Sequence, residues 1–156
     1  MSGVKTQLLC AAASIALATS LYPLEGARAQ NLSVSGNAGL LRVSAAIAGS
    51  EPLSVSNATT TYTVTTGNPN RTYKITARLS VPMPAGVTLT ASLAAPPGAT
   101  SLGPIALDAT DRDVVLDIPR RTDATQGITY LLSATVAAGV VPTSSRTVTL
   151  TIVQQP

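Results

Sequence analysis

Four stretches of the chain alternate apolar and polar residues one by one, and no stretch sustains the three-to-four-residue spacing of a helical stripe. In residues 72–80, Tyr73, Ile75, Ala77 and Leu79 alternate with Thr72, Lys74, Thr76, Arg78 and Ser80. Residues 87–93 set Val87, Leu89, Ala91 and Leu93 against Thr88, Thr90 and Ser92. Residues 128–136 set Ile128, Tyr130, Leu132, Ala134 and Val136 against Thr129, Ser133 and Thr135, and residues 147–152 do the same with Val148, Leu150 and Ile152 between threonines. Successive side chains of a strand point to opposite faces, so a period of two specifies one face for a core and one for water. Shorter runs at residues 32–34, 40–47, 53–55, 59–65, 105–107 and 114–118 predict further strands.

The punctuation between these runs has the chemistry of turns. Gly67-Asn68-Pro69-Asn70 lies between two alternating runs and predicts a hairpin, because Gly and Asn tolerate positive φ and Pro fixes φ near −65°. Further connections are marked by Pro82-Met83-Pro84-Ala85-Gly86, Pro96-Pro97-Gly98, Gly103-Pro104, Gly139 and Pro142. Turn signals this frequent suit an antiparallel sandwich of about seven to nine strands better than a fold of alternating strands and helices. The core has no Phe or Trp to draw on. Val, Leu, Ile and Ala must fill it, with Tyr62, Tyr73 and Tyr130 as its large rings, and small aliphatics suit the layer of about 10 Å between two sheets.

Residues 1–29 follow a different rule. Lys5 supplies a basic start, residues 8–18 form an uncharged apolar run of eleven, and Ala27-Arg28-Ala29 places small residues where a signal peptidase reads them. The segment is expected to be an export signal cleaved before Gln30. It is too short to anchor the chain, since a spanning helix needs about 20 apolar residues and Glu25 and Arg28 interrupt this one. Cys10 lies within the apolar run as a small filler. The remaining residues 30–156 are expected to form one domain, secreted, periplasmic or on the cell surface, whose stability owes nothing to disulfides because no cysteine is left.

That composition narrows the chemistry. Without His or Cys the domain has no imidazole acid or base, no thiolate, and none of the usual zinc ligands. No enzyme activity and no cofactor are expected. Eight Lys and Arg against six Asp and Glu leave residues 30–156 close to neutral, and the basic residues are dispersed, where a nucleic-acid binder would cluster them among aromatics. Arg120 and Arg121 are the exception, and they predict a solvated turn.

Residues 77–107, with Pro82-Met83-Pro84-Ala85-Gly86-Val87-Thr88-Leu89 and Ala94-Ala95-Pro96-Pro97-Gly98-Ala99-Thr100-Ser101, resemble uncharacterised secreted bacterial proteins built as immunoglobulin-like sandwiches. The closing segments Thr129-Tyr130-Leu131-Leu132-Ser133-Ala134-Thr135-Val136 and Arg146-Thr147-Val148-Thr149-Leu150-Thr151-Ile152 share the likeness, which is distantly similar to pilin and spore-coat modules. It covers residues 53–153 and implies a surface role with no catalytic residues. Chaperone-assembled pilins usually carry a disulfide and a tyrosine just before the last residue, whereas this sequence closes on Val153-Gln154-Gln155-Pro156 and has no cysteine pair.

Three groups of residues have a chemistry to weigh. Asp108, Asp111, Asp113 and Asp117 could offer oxygens to Ca²⁺, yet they lack the spacing of an EF-hand, and the favoured reading is a solvated strand edge that deters edge-to-edge pairing. On that reading Asp113 and Asp117 share a solvent face with Val115. The twenty threonines of residues 30–156 could order water or ice, but no repeat of constant length stacks them, and the favoured reading is an outer strand face of solvated hydroxyls. Leu32, Val34, Gly36, Ala38 and Leu40, spaced by two, could complete a neighbouring subunit's sheet and are expected instead to form the first strand of their own sandwich.

The expectation is a structural or surface-interaction protein that self-associates or contacts another surface protein, with no nucleic acid and no membrane span. The alternatives are a fimbrial-type subunit assembling by strand exchange, or a carbohydrate-binding module that would stack sugars on Tyr62, the ring left available once Tyr73 and Tyr130 face inward. An enzyme ranks below both, because a serine with Lys74 or the aspartate group would have to work without histidine.

Overall fold

The computed structural model describes residues 30–156, apart from the side chains of Thr122 and Asp123; the export signal expected over residues 1–29, with Cys10, lies outside them. The four alternating stretches fall in β3 (Tyr73–Leu79), β4 (Val87–Leu93), β8 (Arg121–Ala134) and β9 (Val148–Gln154), although β8 begins well before Ile128 and stops short of Val136, which lies exposed in a 3-10 turn. Around them lie β1 (Asn31–Ser35), β2 (Val55–Thr66), β5 (Thr100–Ser101), β6 (Ile105–Ala106) and β7 (Arg112–Ile118). The described residues contain no α-helix, only a 3-10 turn at Val136–Ala138.

Two antiparallel sheets result, one in the order β1-β2-β8-β4-β6 and the other in the order β5-β7-β3-β9. The longest strand, β8, lies between β2 and β4 and registers Tyr62 opposite Gln126 on one side and Ala91 opposite Tyr130 on the other. Both sheets contribute to a single core: Tyr62, Leu93 and Ile128 from the first meet Tyr73, Ile75 and Val114 from the second, all fully or nearly fully buried. Val, Leu, Ile and Ala fill this core around Tyr62, Tyr73 and Tyr130 in place of Phe and Trp.

The structure corrects four expectations. The Gly67–Asn70 turn is not a hairpin: β2 pairs with β1 and β8, while β3 pairs with β7 and β9, so the turn carries the chain from one sheet to the other. Turn chemistry reverses the chain without deciding whether the flanking strands share a ladder. Residues 40–47 form no strand and keep only an isolated bridge from Ala46 to Pro52, because no neighbouring strand lies beside them to satisfy a ladder. Arg121 is no turn residue; it opens β8, and its N–H donates to the buried Thr66 hydroxyl at 2.8 Å, while Arg120 stays exposed in a bend.

The fourth concerns β7. Two register shifts against β3 break its alternation, so Val114 and Val115 are adjacent in sequence and both fully buried. Val115 therefore shares no solvent face with Asp113 and Asp117. Asp117 takes a φ of 57°, the left-handed region that a non-glycine residue enters only when its surroundings hold it there.

Candidate functional site

The two sides of the sandwich close differently. On one side the edge strands are the two-residue β5 and β6, joined by a short loop and tied across both sheets. Ser101 Oγ donates to the carbonyl of Leu93 at 2.6 Å, and Leu102 N–H donates to the carbonyl of Val114 at 3.1 Å. Short, crossed edges of this kind leave little backbone for another chain to pair with.

On the other side the edges are β1 and β9, the first and last strands, which lie against each other across the gap between the sheets. Each pairs with one neighbour only among the described residues: β1 with β2 through Leu32 opposite Val64 and Val34 opposite Tyr62, and β9 with β3 over its whole length. The inward row of β9, Val148, Leu150 and Ile152, is only partly buried, and so is Leu32 on β1. Val34 is 51% exposed although its register partner Tyr62 is fully buried. The result is a seam with an apolar floor and an unpaired strand edge on each lip. The alternation of residues 147–152 was visible in the sequence, but nothing in it showed which edge of the strand would lack a partner.

The four aspartates do not form a shared acidic site. Asp108 pairs with the Arg112 guanidinium four residues on and accepts the Thr110 N–H at 2.8 Å; the Arg112 hydrogen bond, followed by that backbone donor, holds its carboxyl below the usual range and raises Arg112 in turn. Asp113 reaches across to Lys74 at 2.9 Å, and Asp111 lies 3.9 Å from Arg78. Asp117 exchanges two hydrogen bonds with Gln155, its N–H donating to Oε1 and its carboxylate accepting from Nε2. The carboxylates are solvated as expected, each being partly or well exposed, but the free-edge part of that reading is corrected over Val115 and Leu116, where β5 covers β7. Among the described residues no three metal-ligating side chains are grouped.

The tyrosines give a further correction. Tyr62 is fully buried like Tyr73, and Tyr130 nearly so, leaving no exposed aromatic ring among the described residues for a sugar to stack on. Tyr62 Oη donates to the Ala94 carbonyl at 2.5 Å, and burial pushes its phenol up to about 12. The threonines divide between two environments. Thr61, Thr63 and Thr125 lie on the outer face of the first sheet, where the Thr63 and Thr125 hydroxyls are 2.8 Å apart, whereas Thr60, Thr66 and Thr76 are buried.

Compared with protein-family models, with curated proteins and with solved structures, the chain matches none. No helix among the described residues is long and apolar enough to cross a membrane.

Proposed function

We propose that this chain is an exported, immunoglobulin-like structural protein of the cell surface that works by holding other chains and not by catalysis, with the free edge of β9 as the place of contact. The observation that supports this reading is the half-buried row Val148, Leu150 and Ile152 beside an unpaired strand edge seven residues long. An added strand would supply the missing ladder hydrogen bonds and cover that row with its own alternate apolar side chains, which is how strand addition obtains both affinity and register. The fimbrial-type alternative describes the same contact when the added strand comes from another copy. The carbohydrate-binding reading has lost its one candidate ring with Tyr62.

Light scattering after size-exclusion chromatography of residues 30–156 tests the proposal. The expected result is a mass that rises with protein concentration, and that returns to the monomer value in Leu150→Lys while circular dichroism keeps its β signature. A protein that stays monomeric throughout and ignores an added peptide of residues 30–41 would refute it.

A further inference from the structure

One end of the sandwich carries a second opening, separate from the seam. Residues 36–54, between β1 and β2, build no strand; a turn held by Ser50 N–H to the Ile47 carbonyl at 3.0 Å and Leu53 N–H to the Ala45 carbonyl at 2.8 Å is their main internal structure. Residues 139–147, leading into β9, are likewise outside any ladder. Between these two segments and the paired ends of β4 and β8, where Val87 faces Ala134, lies a cleft of about 610 Å³. Small-molecule sites typically span about 300–1,000 Å³.

The cleft is open and of mixed character: Leu41, Met83, Val87 and Leu132 give it apolar surface, while Thr135 and Ser144 and exposed backbone add nearly as much polar surface. Arg42 is the only charged residue among the lining positions. It makes no hydrogen bond and no ion pair with any described residue, in contrast to Lys74, Arg78 and Arg112, each of which faces an aspartate. Glu51, on the same loop, is not part of the lining, and its carboxylate accepts the Val136 N–H at 2.6 Å. A cation without a counter-ion thus lines a cleft of mixed polar and apolar surface.

We propose that this cleft binds a small amphiphile with one anionic head and a straight apolar tail, of the class of medium-chain fatty acids. The Leu, Val and Met side chains of the lining would take the tail out of water, while the polar surface between them leaves room for the solvated head. Arg42 supplies the complementary charge, since a guanidinium presents paired donors that match the two oxygens of a carboxylate. This site is independent of the strand-addition reading, because its lining includes no residue of β1 or β9.

Met83 makes the test direct, because Met1 and Met83 are the two methionines of the sequence and a protein starting at Gln30 keeps only Met83. In residues 30–156 labelled with ¹³C at the methionine methyl, decanoate below its micelle-forming concentration should shift the single Met83 resonance saturably and raise the melting temperature. Arg42→Gln should weaken decanoate about tenfold and leave decyl alcohol binding unchanged, while Arg71→Gln, in the turn before β3, should change neither. A Met83 resonance indifferent to decanoate would overturn the proposal, as would equal binding of decanoate and decyl alcohol to the unaltered protein. If an extended apolar peptide shifts Met83 and decanoate does not, the cleft is a strand site and the assignment to an amphiphile is wrong.

Discussion

Tyr62 Oη donates a hydrogen bond to the backbone carbonyl of Ala94, 2.5 Å away, from a ring that water does not reach. The ring rises from β2 and its hydroxyl reaches the residue that follows β4, so one side chain bridges two strands separated by β8. Buried tyrosines keep such a partner because an orphaned hydroxyl or carbonyl costs more than the bond itself contributes.

Tyr62→Phe should therefore lower stability by about 1 kcal/mol, read as a reduced urea midpoint at neutral pH. Burial raises the Tyr62 phenol from its ordinary 10.0 to about 12 in the folded protein. Above pH 10 the unfolded chain loses this proton while the folded one retains it, so stability falls as pH rises through the window from 10 to about 12. Tyr130, raised by the same cause, adds to the fall. The urea midpoint should drop less steeply between pH 9 and pH 11.5 in Tyr62→Phe than in the unaltered protein, and parallel curves would refute the assignment.

The bulged strand β7 separates packing from charge. Val114→Ala and Val115→Ala should each cost about 2 kcal/mol, because both side chains are fully buried and each deletion leaves a small cavity. Asp113→Ala should cost less than about 1 kcal/mol, since its bridge to Lys74 is partly exposed and screened by salt. Thermal melts of the three variants test the ordering, and a harmless Val115→Ala would mean that β7 alternates after all.

Two glycines with positive φ should differ sharply when replaced by alanine. At Gly86, φ is +75° and a Cβ would come within 2.8 Å of Thr135 Oγ1 and 2.9 Å of Ala138 Cβ, so Gly86→Ala combines backbone strain with a clash. At Gly103, φ is +74° with nothing within 4 Å, leaving the backbone cost alone, about 1–2 kcal/mol. The melting temperature of Gly86→Ala should fall clearly below that of Gly103→Ala; equal values would show that the Thr135 turn yields freely.

The first strand is tested by removing it. Exported protein should begin at Gln30 on N-terminal sequencing. Deleting residues 30–40 takes Leu32 off the core and strips β2 of one of its two neighbours, leaving it an open edge, so the truncated chain should be markedly less stable and prone to aggregate. A truncated protein that remains a soluble monomer with an unchanged melting temperature would show that β1 contributes nothing to its own sandwich.

The sequence alone determined the all-β class and the four main strands, because an alternating pattern such as Tyr73-Lys74-Ile75-Thr76-Ala77 states locally which side chains must leave water. It also pointed to the turns, where Gly and Pro act through the backbone of their own residue. Only the tertiary structure decided which strands became neighbours. Whether β2 paired with β3, whether β7 carried bulges that buried Val114 and Val115 together, and whether Tyr62 faced inward all depend on contacts between residues far apart in the chain. The seam belongs to that second group. Alternation orients the side chains of β9 but says nothing about its backbone edge, which stays open because β3 takes one side and no described strand takes the other. Arg42 shows the same division: its charge is evident in the sequence, but its place on the lining of a cleft arises only when residues 40–46 and 139–144 come together.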